Sequence, residues 1–401
     1  MSEFSPIPLL IPALPKLTAL RPYLEQIDAN RYYSNFGPLT RELETRLAGI
    51  FENHASHPMH VTTVSSATTG LELALSSLDL PRGSLVVVPA LTFVATLTAV
   101  IRAGFVPVVA DVDADNWLLT PEIVRESAAS TGASAAIVVS AFGQPVDTAL
   151  WSSFQENTGI SIVIDAAGGF GSQWVQATDI PVVFSMHATK SLAAGEGGFI
   201  VSGNHDFIRH ITELSNFGIN LDPSAGLPVG YLTHAGSNAK LSEYHAAVAH
   251  ASLDNWESNA EKRQSAYRRY RDLLNDACGD AIIWQKGVEL TVPNMLCIRL
   301  GNSEARSKLE DHCKRLQIAT RRWYQPLLHH HSANISPLVA MPCPAAEGIA
   351  SGLLGLPFFV DITDIQIRRV VDAVAQAVSQ QDYSTQKQLT RKRHGQYSDI
   401  H

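Results

Sequence analysis

The sequence predicts an α/β fold: a large domain with a seven-stranded, mostly parallel sheet, followed by a smaller α+β C-terminal domain. Two observations predict this fold. Short β-branched runs alternate with helically spaced apolar runs through the first half of the chain, and the pattern becomes mixed after residue 203. The 401 residues correspond to about two to three domains, enough to bury a substantial core.

Seven apolar runs are the predicted strands of the large domain. They cover residues 60–66, 84–90, 106–112, 134–142, 161–167, 182–186 and 199–203. Between the earlier runs, the segments 71–78 and 95–101 keep apolar residues at helical spacing. Because strands that alternate with helices are joined by crossovers, we expect a largely parallel sheet with helices on both faces.

A stretch without proline or glycine, from Leu241 to Leu274, predicts one long or one kinked helix that leaves the first domain. We place the domain boundary inside it, with residues 1–255 in the large domain and 256–380 in the small one. The N-terminal segment joins either the large or the small domain.

The small domain is predicted from shorter patterns. These are a strand pair around 282–300, a helix over 303–316, a strand near 318–324 and a last helix over 364–379. Residues 381–401 are polar and almost without aliphatic side chains, so we expect a disordered tail there.

Composition narrows the class of protein. The net charge of -8, from 38 acidic and 30 basic side chains, argues against nucleic acid or an anionic membrane as a partner. The four cysteines form no CxxC pair, so we expect reduced thiols rather than a metal or redox site. Since the chain has no apolar run of 18 residues and no signal-like N-terminus, we expect a cytoplasmic protein.

Lys190 is the first candidate catalytic residue. It follows the predicted strand 182–186 in the sequence FSMHATK and precedes the glycine-rich stretch 195–198. Small neighbours and burial favour a neutral amine, the form that attacks a carbonyl to make a Schiff base. A surface lysine in a loop is the alternative.

Asp165 ends the apolar strand 161–165 and precedes Ala-Ala-Gly-Gly. Ligands of open α/β sheets bind beyond the carboxyl ends of the strands, so Asp165 and Lys190 are expected to face one crevice. A buried carboxylate there suits a pyridinium nitrogen, as pyridoxal phosphate requires. The alternative is an aspartate that caps the following helix.

A third element, SSATTG, lies between the strand 60–66 and an amphipathic helix. Hydroxyl groups and free N–H groups at a helix N-terminus suit a phosphate, although an ordinary threonine N-cap explains the same pattern. No GxGxxG, Walker or GxSxG motif is present, which removes the common nucleotide-binding and hydrolase fingerprints.

Five motifs in order resemble the DegT/DnrJ/StrS family of nucleotide-sugar aminotransferases. They are SSATTG, PALTFVAT, VIDAAGG, FSMHATK with GEGG, and GSNAKLSEYHAA, and the resemblance is strong over residues 30 to 275. It implies a fold-type-I enzyme that binds pyridoxal 5′-phosphate, or its amine form PMP, and works as a homodimer with shared active sites.

The resemblance also implies roles for individual residues. Lys190 resembles the Schiff-base lysine that holds the cofactor as an internal aldimine, and Asp165 the partner of the ring nitrogen. The other cofactor contacts it implies are Thr68 and Thr69 at the phosphate, Ser185 at the phosphate, Phe93 stacked on the ring, and Asn238 from the partner subunit. By itself, a Phe in an apolar stretch would be a core residue.

The small-domain segment TRRWYQPL resembles the family's segment that closes over the site. Arg321 and Tyr324 within it are candidate substrate residues, since guanidinium groups and aromatic rings suit a diphosphate or a sugar face. A strand with exposed arginines is the alternative. His187 is a further candidate.

One departure from the family pattern is Gly168, where the family usually has Gln or His near the cofactor's hydroxyl. A water, another side chain or looser cofactor binding accounts for it, and His187 is a nearby candidate to compensate. Related sugar dehydratases replace the Schiff-base lysine with histidine, so Lys190 favours transamination.

The predicted activity is transfer of an amino group from L-glutamate to a nucleotide-linked keto-deoxy sugar, such as a dTDP-3-keto- or dTDP-4-keto-6-deoxyhexose, in polysaccharide or glycoside biosynthesis. A keto-cyclitol (inosose) aminotransferase is the alternative within enzymes. A non-catalytic regulator that binds the cofactor is an alternative of another class, which retention of both Lys190 and Asp165 disfavours.

Overall fold

The computed structural model describes residues 5–224, 226–288, 291–331 and 337–395, with the backbone alone over 380–395. Its buried apolar side chains form two clusters, a large one around the main sheet and a smaller one around the C-terminal helices. Ile7 belongs to the smaller cluster. Ile7 therefore packs with the C-terminal part of the chain, whereas Ile27 belongs to the large cluster.

The main sheet contains all seven predicted strands, each within two or three residues of its predicted bounds. They are β1 His60–Val64, β2 Leu85–Pro89, β3 Val106–Ala110, β4 Ala135–Val139, β5 Ser161–Asp165, β6 Val182–Ser185 and β7 Gly198–Ser202. The strands are almost fully buried because helices cover both faces, and this is why each one is a short continuous apolar run.

An eighth strand, β9 Leu338–Val339, pairs in parallel with β3 at the sheet edge. The order is β1-β7-β6-β5-β4-β2-β3-β9. Among the described strands of this sheet, only β7 runs antiparallel to its neighbours, β1 and β6. The prediction of seven strands missed β9, because two exposed apolar residues carry no strand periodicity and their partner strand lies more than 200 residues earlier.

Helices of the first half fill both faces of the sheet. They are α1 Leu17–Asn30, α2 Pro38–Glu52, α3 Ala67–Ser76, α4 Val94–Arg102, α5 Pro121–Thr131, α6 Thr148–Thr158 and α7 His205–Ser215. α2 shows how the apolar spacing produces packing: Leu39, Leu43, Leu47 and Phe51 lie four residues apart and are all buried.

The predicted long helix is kinked. α8 Glu243–Asp254 and α9 Trp256–Cys278 meet at Asn255, the last residue of the predicted large domain. α9 then packs against α12 Asp364–Gly395, and α10 Ser303–Arg315, β8 Leu296–Arg299 and β10 Leu353–Leu356 complete the smaller part. α11 Pro344–Gly352 instead buries Ala346 and Ile349 against the large cluster.

Two predictions for the C-terminal part are corrected. The predicted strand near 318–324 is wrong: Ile318 and Arg321 make single bridges to Ile7 and Gly355, two partners from different parts of the chain, so no continuous ladder forms. Of the predicted strand pair around 282–300, β8 forms, whereas the first member is reduced to a bridge at Ile283.

The backbone of α12 continues to Gly395, into the segment predicted to be a disordered tail. The sequence has no proline or glycine between Asp364 and Gly395, and its Gln, Lys and Arg residues are good helix formers, so a polar composition does not end the helix. Residues 396–401 of the predicted tail lie outside the described residues. Among the described helices, none is both long enough and apolar enough to cross a membrane.

Candidate active site

A cavity of about 370 Å³ opens at the carboxyl ends of β1, β5 and β6, between the large and small apolar clusters. The sheet topology explains its position. Since β1, β5 and β6 run in the same direction, the residues that follow them meet at one edge. Asp165, Ser185 and Lys190 line this cavity together, although 25 residues separate the first from the last.

Asp165 is the last residue of β5 and is almost completely buried. Its Oδ2 accepts a hydrogen bond from Thr96 Oγ1 at 2.8 Å, and its Oδ1 accepts one from the Ala167 backbone N–H at 3.1 Å. Burial raises the pKa of Asp165, whereas these two donors and the charge of Lys190 oppose the rise. A turn rather than a helix follows Asp165, so the helix-cap alternative is wrong.

Lys190 lies in a tight turn after β6 and is half-buried at the cavity wall. Its backbone N–H bonds to His187 O at 2.9 Å, and Ala188 N–H bonds to Gly195 O at 2.9 Å. These bonds attach the lysine turn to the glycine-rich segment. Desolvation lowers the pKa of Lys190, and the Asp165 carboxylate raises it by a smaller amount. The surface-lysine alternative is therefore wrong.

The start of α3 forms an anion site. Ser66 is the N-cap and Ala67 and Thr68 are the first helical residues, and all three line the cavity. Ser185, at the end of β6, adds a third hydroxyl. The first N–H groups of a helix have no partner within it, so hydroxyls and N–H donors converge here.

Gly198 permits the helix start to lie this close to the sheet. A Cβ at Gly198 would come within 2.6 Å of Ala67 N, a contact that no side chain permits. Because β7 pairs Gly198 with both Val64 of β1 and Ser185 of β6, this glycine brings the α3 start beside the Ser185 hydroxyl.

Aromatic side chains line one side of the cavity. Phe93 is 52% exposed and lies 6.1 Å from Tyr324 between ring centroids, so it is not the core residue that an apolar stretch would suggest. Tyr324 also stacks on buried Phe142 at 5.3 Å. Phe93 and Tyr324 therefore place aromatic surface in the cavity that Asp165 also lines.

His187 and Arg321 also line the cavity. His187 Nδ1 is 2.9 Å from Thr189 Oγ1, and its Nε2 is 3.7 Å from Glu196 Oε1. The Arg321 guanidinium lies 4.3 Å over the Trp323 ring, while the neighbouring Arg322 pairs with Glu310 at 2.6 Å. Arg321 lines the cavity, whereas Arg322 is not among its lining residues.

The cavity of this chain does not include two of the sequence-predicted site residues. Thr69 donates its backbone N–H to Ser66 Oγ at 3.1 Å, and its hydroxyl lies 3.0 Å from the same oxygen. It therefore supports the N-cap. Asn238 is exposed, and its Oδ1 accepts a hydrogen bond from Lys240 Nζ at 2.8 Å.

Sequence reasoning missed several residues of the site. Thr96, which bonds Asp165, lies within the PALTFVAT motif, so its spacing from Phe93 could have suggested it. Asn294 and the N-terminal residues Leu9 and Leu10 also line the cavity. They lie far along the chain from every motif, and no local pattern marks them.

Comparison with known proteins agrees with this geometry. The model of the DegT/DnrJ/EryC1/StrS aminotransferase family matches residues 18–375. The chain belongs to this family. It is therefore an aminotransferase that uses pyridoxal 5′-phosphate, and the resemblance read from the five motifs is confirmed.

Solved structures of similar proteins share the fold. DesI, solved with its TDP-sugar product, is 28% identical with a TM-score of 0.81, and the match covers 96% of each chain. DesV of S. venezuelae, solved with a ketimine intermediate, is 25% identical with a TM-score of 0.77, over 93% of this chain and 98% of that one. NtdA of Bacillus subtilis, solved with bound PMP, has the same fold with a TM-score of 0.79 at 19% identity, over 90% of this chain and 82% of that one.

The residues of the cavity fit this cofactor. The hydroxyls of Ser66, Thr68 and Ser185, with the N–H groups of α3, supply donors for a phosphate dianion. The buried Asp165 carboxylate suits a protonated ring nitrogen, and the Lys190 amine suits the aldehyde carbon. One cavity therefore contains hydrogen-bond donors for a phosphate, a buried carboxylate and an amine with a lowered pKa.

Proposed function

We propose that this aminotransferase transfers an amino group from L-glutamate to a nucleotide-linked keto-deoxy sugar, such as a dTDP-3-keto- or dTDP-4-keto-6-deoxyhexose. The observation that carries the proposal is the joint placement of Lys190 and Asp165 in one cavity beside an anion site. The similarity to DesI, whose structure holds a TDP-sugar product, supports the substrate class.

The cofactor, when bound, supplies an electron-accepting ring that stabilises negative charge on the carbon that loses or gains a proton. The chain's own residues position that chemistry. The Asp165 carboxylate, held by Thr96 and Ala167, would keep a positive charge on the ring nitrogen. The hydroxyls of Ser66, Thr68 and Ser185 would hold the phosphate, and Phe93 lines one side of the cavity.

Lys190 moves the proton. Because desolvation lowers its pKa, a larger fraction of the Nζ amine is neutral at a given pH than for an exposed lysine. A neutral amine accepts the proton from the amino donor's carbon and returns it to the acceptor's carbon. The turn that holds Lys190 to the segment at Gly195 keeps this amine over the cavity.

The small-domain wall supports binding of the substrate. Arg321 brings a positive charge that suits a diphosphate or the carboxylate of the amino donor, and Trp323 offers a flat face for a sugar or a base. The wall also carries Leu9, Leu10 and Phe358, which exclude water from one side of the cavity. An apolar side suits a deoxygenated sugar.

We also infer a homodimer in the cytoplasm with active sites shared between subunits. The segment 217–232 exposes large apolar side chains. These are Phe217, Leu221, Leu227, Val229, Tyr231 and Leu232. Asn238 follows this segment and lies outside the cavity of its own chain. An exposed apolar patch beside a polar residue that its own cavity does not use fits contact with a second copy.

The proposed activity is tested by the amine form of the enzyme. Purified protein loaded with cofactor is treated with L-glutamate, and loss of the visible absorbance band reports amino transfer. The amine form is then offered a dTDP-linked keto-deoxyhexose or a keto-cyclitol in separate reactions. Return of the band with the nucleotide sugar supports the proposal, whereas return with the cyclitol alone contradicts it.

The shared site is tested by mixing two inactive variants. Lys190→Ala and Asn238→Ala proteins are unfolded, mixed and refolded together, and turnover is measured against each variant refolded alone. If Asn238 acts across the interface, mixed dimers contain one site with both residues intact and recover part of the activity. No recovery, in a mixture shown to contain mixed dimers, contradicts the shared site.

A further inference from the structure

Gly168 leaves a space beside the cavity. A Cβ built on this residue would have one heavy atom within 4 Å outside its own chain neighbours, the Asn294 Nδ2 at 3.9 Å. The backbone at Gly168 lies outside the left-handed region, so glycine is not required there for its conformation. The Asn294 amide therefore faces the space that a side chain at position 168 would occupy.

The Asn294 side chain is buried and held at one end. Its Oδ1 accepts a hydrogen bond from Ser191 Oγ at 3.3 Å, and Ser191 directly follows Lys190. Within the described part of the chain, Nδ2 has no hydrogen-bond acceptor, yet it is not among the side-chain atoms sealed from solvent without a partner. Asn294 lines the cavity, and its Nδ2 lies at the Gly168 side.

The sheet topology indicates which part of a bound cofactor would meet this amide. If Asp165 on β5 holds the ring nitrogen and the start of α3 holds the phosphate, the phosphate arm would extend toward the β6 side. The ring hydroxyl, which is on the opposite side of the ring from that arm, would then face β4. The loop at Gly168 lies on this β4 side, because Gly168 O is 3.2 Å from the Cβ position of Gly143, just after β4.

We propose that Asn294 binds the ring hydroxyl oxygen of the cofactor by donating a hydrogen bond from Nδ2, and that Ser191 orients the amide. The inference rests on the cofactor assignment and is independent of the sugar. His187, considered earlier for this position, has Nδ1 beside Thr189 and Nε2 toward Glu196. Asn294 therefore has a free N–H donor at this position, and His187 does not.

This hydrogen bond has a spectroscopic consequence. When the ring hydroxyl oxygen is negatively charged, it attracts the proton on the nitrogen that joins Lys190 to the cofactor. A hydrogen-bond donor to this oxygen stabilises its negative charge and weakens that attraction. The nitrogen therefore loses its proton at a lower pH. Removing the donor therefore raises the pKa of that nitrogen, by about one unit for a charge-assisted hydrogen bond.

The experiment compares full-length wild type with Asn294→Leu, which removes the donor and nearly keeps the volume. The visible absorbance of the loaded enzyme is titrated with pH, and the cofactor Kd is measured by reconstitution of the apoenzyme. We expect the titration midpoint to rise by about one pKa unit and the Kd to increase about tenfold. Asn275→Leu, at a small-domain residue that bonds Trp284, is the matched control and leaves both values unchanged.

A rescue variant separates the hydrogen bond from packing. Gly168→Gln in the Asn294→Leu background places an amide in the same space, and the midpoint should return toward wild type. If Asn294→Leu does not fold, Asn294→Asp keeps the shape and the Ser191 contact but replaces the donor with an acceptor, and must raise the midpoint. A wild-type midpoint in the folded variants overturns the inference alone, whereas a wild-type protein without any visible band overturns the cofactor assignment as well.

Discussion

The two walls of the cavity differ in chemistry and in the way the chain builds them. The large-domain wall carries Asp165, Lys190 and the hydroxyls of the α3 start, all within a few residues of buried strands. The opposite wall is formed by residues of the N-terminus, the residues just before β8 and the segment 321–324. Single bridges, from Ile7 to Ile318 and from Arg321 to Gly355, are the strand-like contacts of these segments in the described residues.

This difference indicates a division of function. Groups placed at strand ends have fixed positions because the sheet is packed on both faces, and such precision suits bonds to a cofactor. The irregular wall has apolar and aromatic surfaces with the Arg321 charge, which suits selection of a substrate. Changes in the first wall are therefore expected to affect chemistry, and changes in the second to affect binding.

Lys190→Ala is expected to have the largest effect. It removes the amine that moves the proton, and turnover should fall by about 10⁴-fold, the upper range for a positioned acid–base group. Lys190→Arg keeps a positive charge but has no nucleophilic amine, so its turnover should fall by the same factor. Single-turnover amino transfer measures both variants, with circular dichroism to verify folding. Near-wild-type turnover in either variant would refute the assignment of Lys190.

Asp165→Asn should lower kcat by about 10²-fold, because the lost interaction is a hydrogen bond to a charged group. The Asp165→Asn substitution also changes the pKa of Lys190 in the apoenzyme. The Asp165 charge raises the pKa of Lys190, so its removal lowers that pKa further and more of the amine is neutral at a given pH.

The pH dependence of cofactor capture by the apoenzyme checks this second effect. In Asp165→Asn the midpoint should move to lower pH relative to wild type. Asp147→Asn, which changes a carboxylate that caps α6 away from the cavity, should leave the midpoint in place. A shift to higher pH in Asp165→Asn would contradict the proposed coupling of the two charges.

Arg321→Gln tests the other wall. Loss of its charge should raise the KM of the anionic substrate about tenfold with little change in kcat, as expected for binding that is equal in the ground and transition states. Arg322→Gln is the matched control, since Arg322 pairs with Glu310 instead of facing the cavity. If both variants behave alike in steady-state kinetics, the small-domain wall has no specific role in binding.

Thr96→Val should have the smallest effect, about fivefold in kcat/KM, because it removes one hydrogen bond from Asp165. The Thr96 hydroxyl lowers the pKa of Asp165, so its loss raises that pKa. Since the carboxylate is the active form, activity should then be lost at a higher pH on the acid side of the pH–rate profile. Thr92 contacts Thr96 rather than Asp165, so Thr92→Val should leave the acid side of the pH–rate profile unchanged.

The sequence predicted the large domain better than the small one. Buried parallel strands are continuous apolar runs, so all seven could be located within a few residues. The strand near 318–324 was predicted wrongly and β9 was missed, because single bridges and two-residue pairings depend on partners elsewhere in the chain and leave no periodic pattern.

Local sequence by itself determined the chemistry of the cofactor wall: a lysine and an aspartate after apolar strands, and hydroxyls before an amphipathic helix. Tertiary structure alone decided which residues complete it. Thr96 bonds Asp165 across 69 residues, and Asn294 meets the loop at Gly168 and the residue after Lys190. The physical reason is that strand ends bring their own neighbours to one edge of a sheet, whereas contacts between distant segments depend on how the whole chain packs.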